Sequence, residues 1–225
     1  MVAHCYALLQ SRTARLNCCS GILVGCGTGD EVVYLRRRFQ TQCIFGADIE
    51  TRFSTLARAE GAVLAADASH LPFSSGTFGF AAAFHSLEHV GDAGRAVEEI
   101  ARVLRPGAWF YVGVPNRTRL LGYIGSFDAS LWQKVWWNFK DWRARLLGKF
   151  RNEAGAHAGF DRDELAGLLC QCFDDVQLVT EEFLRFKYAH RLPRAMLDLL
   201  LSRRVINYSA PAHYAICRNP AKNAT

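Results

Sequence analysis

Ile22-Leu23-Val24-Gly25-Cys26-Gly27-Thr28-Gly29-Asp30 carries an apolar run into three glycines at alternate positions and out again into an amphipathic stretch. A strand that turns through closely spaced glycines into a helix lets backbone amides approach a ligand without intervening side chains, beside the positive end of the helix dipole. That is the signature of a nucleotide-type binding turn. A dinucleotide fingerprint would place a further glycine at position 30, where this chain has Asp30. The spacing therefore disfavours a nicotinamide dinucleotide, and an NAD-dependent oxidoreductase is the lesser alternative.

Around the turn, short apolar runs alternate with amphipathic stretches, which is how an α/β doubly wound parallel sheet reads. Strands are expected at 22–24, 43–47, 62–65, 80–84 and 109–114, with helices at 30–39, 51–59 and 92–104. For the last helix Asp92 is the N-cap, Val97, Ile100 and Leu104 share a face, and Pro106-Gly107 is the stop signal. The rhythm breaks after Asn116 and resumes at Asp161, which with Glu164 forms a capping-box pattern. Final strands are expected at 176–180 and 214–217. The domain expectation is one unit over 1–225, with a Trp-rich basic insertion at 117–160 and a second insertion at 182–211.

The formal charge of +6 is local. Residues 117–151 hold eight Lys or Arg against Asp128 and Asp141, together with four of the five tryptophans. Eight cysteines show no paired CxxC spacing and no secretory leader is evident, so reduced thiols in a cytoplasmic protein are expected. No apolar run approaches the ~20 residues that span a bilayer, which limits membrane contact to the periphery.

In open parallel sheets, ligands sit at the carboxyl ends of the strands, and the polar motifs fall there. Asp48 closes the second strand, where a carboxylate suits ribose hydroxyls. Asp67-Ala68 follows the third, where a carboxylate and an amide suit the edges of an adenine ring. Then come Leu71-Pro72-Phe73, Phe78, Leu87-Glu88-His89-Val90 and Leu104-Arg105-Pro106-Gly107. In this order and spacing the motifs resemble the class I S-adenosylmethionine-dependent methyltransferases, in particular the branch that includes the quinone-biosynthesis enzymes. The resemblance covers 22–116 and implies a seven-stranded, mostly parallel sheet whose last strand is antiparallel.

Carried over by position, the resemblance implies S-adenosylmethionine as cofactor. Gly25, Cys26, Gly27, Thr28 and Gly29 would hold its methionine portion, Asp48 its ribose, and Asp67 with Ala68 its adenine, with Ile49 a further cofactor contact. His85 and Ser86 would lie beside the sulfonium methyl. The chain departs from the family at Leu23, where an acid is common, and at Gly79, where an Asp is common; Asp30 is the nearby stand-in for the first. If the acceptor is a hydroxyl, His85, His89 or His157 are the candidate bases, with His85 ranked first.

Competing readings attach to several of these residues. His85-Ser86-Leu87-Glu88-His89 also matches HxxEH, a zinc-peptidase pattern, but that chemistry needs a helix and a third ligand, and no metal is expected. The bland reading of His89 is a buried, backbone-bonded histidine; of His157, a loop residue; of Cys26, a small packing residue. Over 131–150, Trp132, Val135, Trp136, Phe139, Trp142 and Leu146 form one helical face and Lys134, Asn138, Asp141, Arg145 and Lys149 another. One reading is a peripheral contact with an anionic membrane. The favoured one is a lid whose aromatic face packs on the core or on a second subunit of a homodimer, its charges solvated. Nucleic acid is disfavoured because the charge is confined to one insertion.

The sequence thus points to methyl transfer from S-adenosylmethionine to a small-molecule, sugar or lipid-linked acceptor, on oxygen. The contrasting reading is a non-catalytic module of the same fold that docks on a membrane or partner.

Overall fold

The computed structural model describes residues 1–12, 20–123, 129–152 and 158–221. His157 lies outside the described residues. A seven-stranded sheet runs in the order β3-β2-β1-β4-β5-β7-β6. Its strands are β1 (Gly21–Val24), β2 (Ile44–Asp48), β3 (Val63–Ala65), β4 (Phe78–Phe84), β5 (Leu104–Pro115), β6 (Asp174–Leu178) and β7 (Ala212–Arg218). The pairs from β3 through β5 are parallel, whereas β7 runs antiparallel to both β5 and β6. The winding reverses at β1 and β4, which fixes the cleft at their carboxyl ends.

Strand alternation sorts the core into two layers. Ile22 and Val24 of β1, Ala81 and Ala83 of β4, and Phe110, Val112 and Val114 of β5 face one cluster, which is closed by Val97, Ile100 and Val103 of α4 (Ala93–Val103) and Leu165 and Leu169 of α6 (Arg162–Cys170). Leu23, Phe80, Ala82 and Tyr111 face the other, closed by α1 (Val2–Arg12) and α2 (Asp30–Phe39), and by α7 (Thr180–Tyr188), α8 (Arg194–Leu200) and α9 (Ile206–Ser209). Short side chains at Ala81, Ala82 and Ala83 keep the central strand thin enough for helices to close over both faces.

Several sequence expectations are corrected in detail. The helix expected at 51–59 is limited to α3 (Thr55–Ala59), because Ser54 is in extended conformation and caps it through the Ala57 amide. Pro106-Gly107 is not where α4 stops: the helix ends at Val103, and β5 already begins at Leu104. The strand expected at 176–180 lies at Asp174–Leu178, and Thr180 instead starts α7. The helix α1 was not expected at all, yet Cys5, Leu8 and Leu9 are part of the core. Asp92 and the Asp161–Glu164 capping box behave as read: Asp92 accepts from the Arg95 amide, and both halves of the box are formed.

The segment after Asn116 leaves and returns at one point. Asn116 bridges Phe160 in parallel, the Phe160 amide donates to the Pro115 carbonyl, and Asn116 Nδ2 donates to the carbonyls of Asn207 and Ala210. Between them lies α5 (Leu131–Leu146), which starts with a formed capping box, Ser130 and Gln133. Of the expectations for this helix, packing of its aromatic face on the chain's own core is overturned. Its polar side faces the protein: Asn138 accepts from the Gly122 amide (2.7 Å), Asp141 accepts from Arg119 (2.9 Å) and Tyr123 (3.2 Å), and Arg145 donates to the Arg119 carbonyl (2.9 Å). The aromatic side faces outward, with Trp132 81% exposed, Trp136 56% and Phe139 58%. Among the described residues, no helix is long and apolar enough to cross a membrane.

Candidate functional site

The glycine turn is built by contacts that only glycine permits. Gly25, Gly27 and Gly29 all have positive φ (71°, 54° and 82°). A β-carbon at Gly25 would lie 2.1 Å from the Ser86 Cβ, and one at Gly29 would lie 2.6 Å from Val63 Cγ1, so both are also packing requirements. Gly27 differs. Nothing lies within 4 Å of where its β-carbon would be, so this residue opens the turn to a ligand. Cys26 points the other way and is buried against Gly46; burial pushes its thiol up to about 12, which makes it the packing residue and not a nucleophile.

Asp48, at the carboxyl end of β2, is bound into this turn. Its Oδ2 accepts from the Gly27 amide at 2.7 Å and its Oδ1 from the Glu50 amide at 2.8 Å. Each carboxylate oxygen has a second lone pair, so the geometry leaves acceptor capacity facing the groove. Ile49 beside it is 74% exposed, an apolar plate at the sheet edge. Asp67 lies two residues past the end of β3, and its Oδ1 caps the Ser69 amide at 2.8 Å. Thr28 ties the turn to the start of α3, its carbonyl accepting from the Ser54 amide at 2.8 Å. An open glycine amide turn, a carboxylate, an exposed aliphatic side chain and a second carboxylate thus line one edge; they fit an adenosyl-bearing ligand in size and polarity.

Beyond Gly25 the groove adjoins a cavity of about 650 Å³. His85, at the end of β4, is held at φ 53° while its amide still donates to the Gly113 carbonyl at 2.8 Å. A positive φ at a non-glycine residue is uncommon and concentrates at functional turns. It aims the chain into a single 3₁₀ turn, Leu87–His89. His85 Nδ1 lies 3.7 Å from Glu88 Oε1, and the Glu88 side chain is 1% exposed. Burial raises the Glu88 carboxyl to about 7, against the lowering effects of a backbone bond and the charge of Arg119.

The sequence expectations meet this geometry unevenly. His85 and His89 both line the cavity, and His89 is exposed and not buried. Ser86 is buried and its hydroxyl donates to the Val24 carbonyl at 2.8 Å, so it braces the glycine turn. Asp30 is a poor stand-in for the missing acid. It is exposed, accepts from the Thr28 hydroxyl at 2.8 Å, and is held below its ordinary range by bonds from Ser54 and Thr28. Glu31, one residue on, lines the cavity, and burial raises its carboxyl. The residues of the HxxEH pattern sit on a strand end and a one-turn 3₁₀ helix, not on one α-helix.

Sequence reasoning missed Glu31, Glu88, Arg119 and Tyr123, all of which line the cavity. Glu88 had a signal, its position three residues after His85 before a capped helix. Arg119 and Tyr123 had none, because they reach the cavity only through the strap that follows β5. Arg119 is buried, with its side chain paired to Asp141 at 2.9 Å.

Residues 22–112 match the methyltransferase domain family. The chain is 31% identical over 93 residues to norajmaline N-methyltransferase of Rauvolfia serpentina, covering 38% of this chain and 32% of that protein. It is 37% identical over 124 residues to O-methyltransferase cnsE of Penicillium expansum, covering 48% of this chain and 45% of that protein. The chain thus spans less than half the length of these curated relatives. A solved structure of Haemonchus contortus phosphoethanolamine N-methyltransferase 2 in complex with S-adenosyl-L-methionine superposes with a TM-score of 0.59 at 16% identity, covering 96% of this chain and 52% of that one. At that identity the likeness is one of fold.

Proposed function

From the match of residues 22–112 to the methyltransferase domain family, we propose that the protein transfers a methyl group from S-adenosylmethionine to the oxygen of a small organic acceptor, whether a free small molecule, a sugar or a lipid-linked group. The cofactor, when bound, supplies an activated sulfonium methyl. The turn left free of side chains at Gly27 and the carboxylate of Asp48 suit its methionine and ribose parts, and Asp67 with Ala68 suits its adenine, with Ile49 exposed beside Asp48 as a further contact.

The observation that carries the reading is the pairing of His85 with buried Glu88 in the cavity next to that turn. Glu88 Oε1 stands 3.7 Å from His85 Nδ1 and places a carboxylate behind the ring, where it stabilises the imidazolium formed when the acceptor hydroxyl gives up its proton. The remaining demand is alignment and exclusion of water, which the apolar walls Phe183, Pro115 and Tyr214 favour. An acceptor nitrogen would lose its proton without such a pair, which is why the dyad favours oxygen. Similar chains are named for both atoms, an N-methyltransferase and an O-methyltransferase among them. Fold alone does not choose between them.

The test is calorimetric titration with S-adenosylmethionine, followed by radiolabelled methyl transfer to panels of hydroxyl and amine acceptors. Binding by the parent protein, with oxygen methylation that drops by about a hundredfold or more in His85→Gln at unchanged cofactor affinity, is the expected result. No cofactor binding by the parent would end the reading. Methylation confined to nitrogen and indifferent to His85→Gln would end the assignment to oxygen.

A further inference from the structure

We propose that the outward face of α5 docks on an anionic lipid bilayer. The 16-residue helix buries none of its residues. It turns its polar side inward onto the strap of residues 119–123 and presents Trp132, Val135, Trp136, Phe139 and Leu146 to the outside, each more than half exposed. An apolar face of this size on a folded chain marks an interaction surface.

Charge chooses the occupant. Within the described residues 129–152 the acid is Asp141, and its carboxylate is consumed internally by Arg119 and Tyr123. The charges left at the outer surface are all positive: Lys140 and Arg143 on the helix, Lys149 and Arg151 just beyond it, all exposed. Lys140 Nζ sits 5.6 Å from the Trp136 ring, so cation and aromatic share one surface. A second copy laid face to face would bring these cations against their own kind. A negatively charged lipid surface neutralises them while indole rings settle at the depth of the head groups. The helix would then lie flat, and the strap it grips carries Arg119 and Tyr123 to the cavity, so the cavity opens close to the membrane plane.

The experiment is flotation of the full chain with phosphatidylcholine vesicles, with and without phosphatidylglycerol, at low and high salt, together with tryptophan emission. Binding that needs phosphatidylglycerol, weakens with salt and shifts the emission to the blue is expected. The variant Trp132→Ser/Trp136→Ser/Phe139→Ser should partition more than about tenfold more weakly, while retaining the parent's affinity for S-adenosylmethionine. Lys140→Gln and Arg143→Gln, at exposed positions that should fold regardless, should each weaken it by roughly fivefold. A parent that stays unbound, or variants that float as the parent does, would overturn the proposal. So would a parent dimer in light scattering that the face variant converts to monomer, since a second copy would then own the surface. Flotation without methyl transfer would leave the docking intact and remove only the catalytic reading.

Discussion

Replacing Glu88 by Gln should make the protein more stable and less active at once, and the gain in stability should depend on pH. The Glu88 side chain is 1% exposed, so its carboxyl is desolvated in the folded protein. Burial carries its pKa from an ordinary 4.5 to about 7. In that window the native state holds a proton that the unfolded chain has released, so stability falls as pH climbs from 4.5 to about 7 and levels off above. The full difference corresponds to ~3 kcal/mol, most of which falls between pH 5 and pH 8. Glutamine keeps the shape and cannot ionise. Urea unfolding followed by circular dichroism should therefore find Glu88→Gln ahead of the parent by ~2 to 3 kcal/mol at pH 8 and by under ~1 kcal/mol at pH 5. Over the same range kcat/KM of the parent should rise through about 7 as the carboxylate forms, and the variant should lose that limb. An equal stability difference at both pH values, or a variant less stable than the parent at pH 8, would refute the claim that Glu88 is a desolvated acid held for chemistry.

Asp48→Ala should weaken S-adenosylmethionine binding by roughly tenfold to a hundredfold in Kd, since each charge-assisted bond it offers is worth about 1.5 to 3 kcal/mol; unchanged calorimetric affinity would remove the ribose assignment. Gly25→Ala should fail more severely, because the new methyl meets Ser86 Cβ at 2.1 Å from a backbone at φ 71°; a thermal midpoint and cofactor affinity equal to the parent's would show that the turn is not held as described.

Much of the fold was legible because it rests on local signals. Glycines at 25, 27 and 29 require positive φ, and alternation along β1 and β5 separates the two core layers. Asp92 and Asp161 announce helix starts through bonds to amides two or three residues on. The cofactor edge was legible for the same reason: Asp48 lies at a strand end, and strand ends on one side of a parallel sheet must meet. The other half of the site was not. Arg119 and Tyr123 come to the cavity because Asn116, Phe160 and Ala210 pin a strap far from them in sequence. Glu31 was passed over for its neighbour because both are acids in the first turn of α2, and 3.6 residues per turn sends one to solvent and the other inward.

The helix α5 shows where periodicity stops being informative. Spacing divides a helix into two faces but does not say which is inside, and the usual assignment follows from apolar surface seeking cover. Here the polar face has the stronger local claim. Asn138 pairs with both the amide and the carbonyl of Gly122, at 2.7 and 3.1 Å. Buried Arg119 is paired with Asp141 at 2.9 Å. Leaving a buried cation unpaired costs several kcal/mol, more than the roughly 1.5 to 3 kcal/mol gained by hiding one large apolar side chain. Pairing therefore sets the rotation of α5, and the aromatic stripe is turned outward as its consequence. A surface exposed for that reason persists only if something outside covers it, and its cationic border makes an anionic bilayer the cover that asks least of the fold.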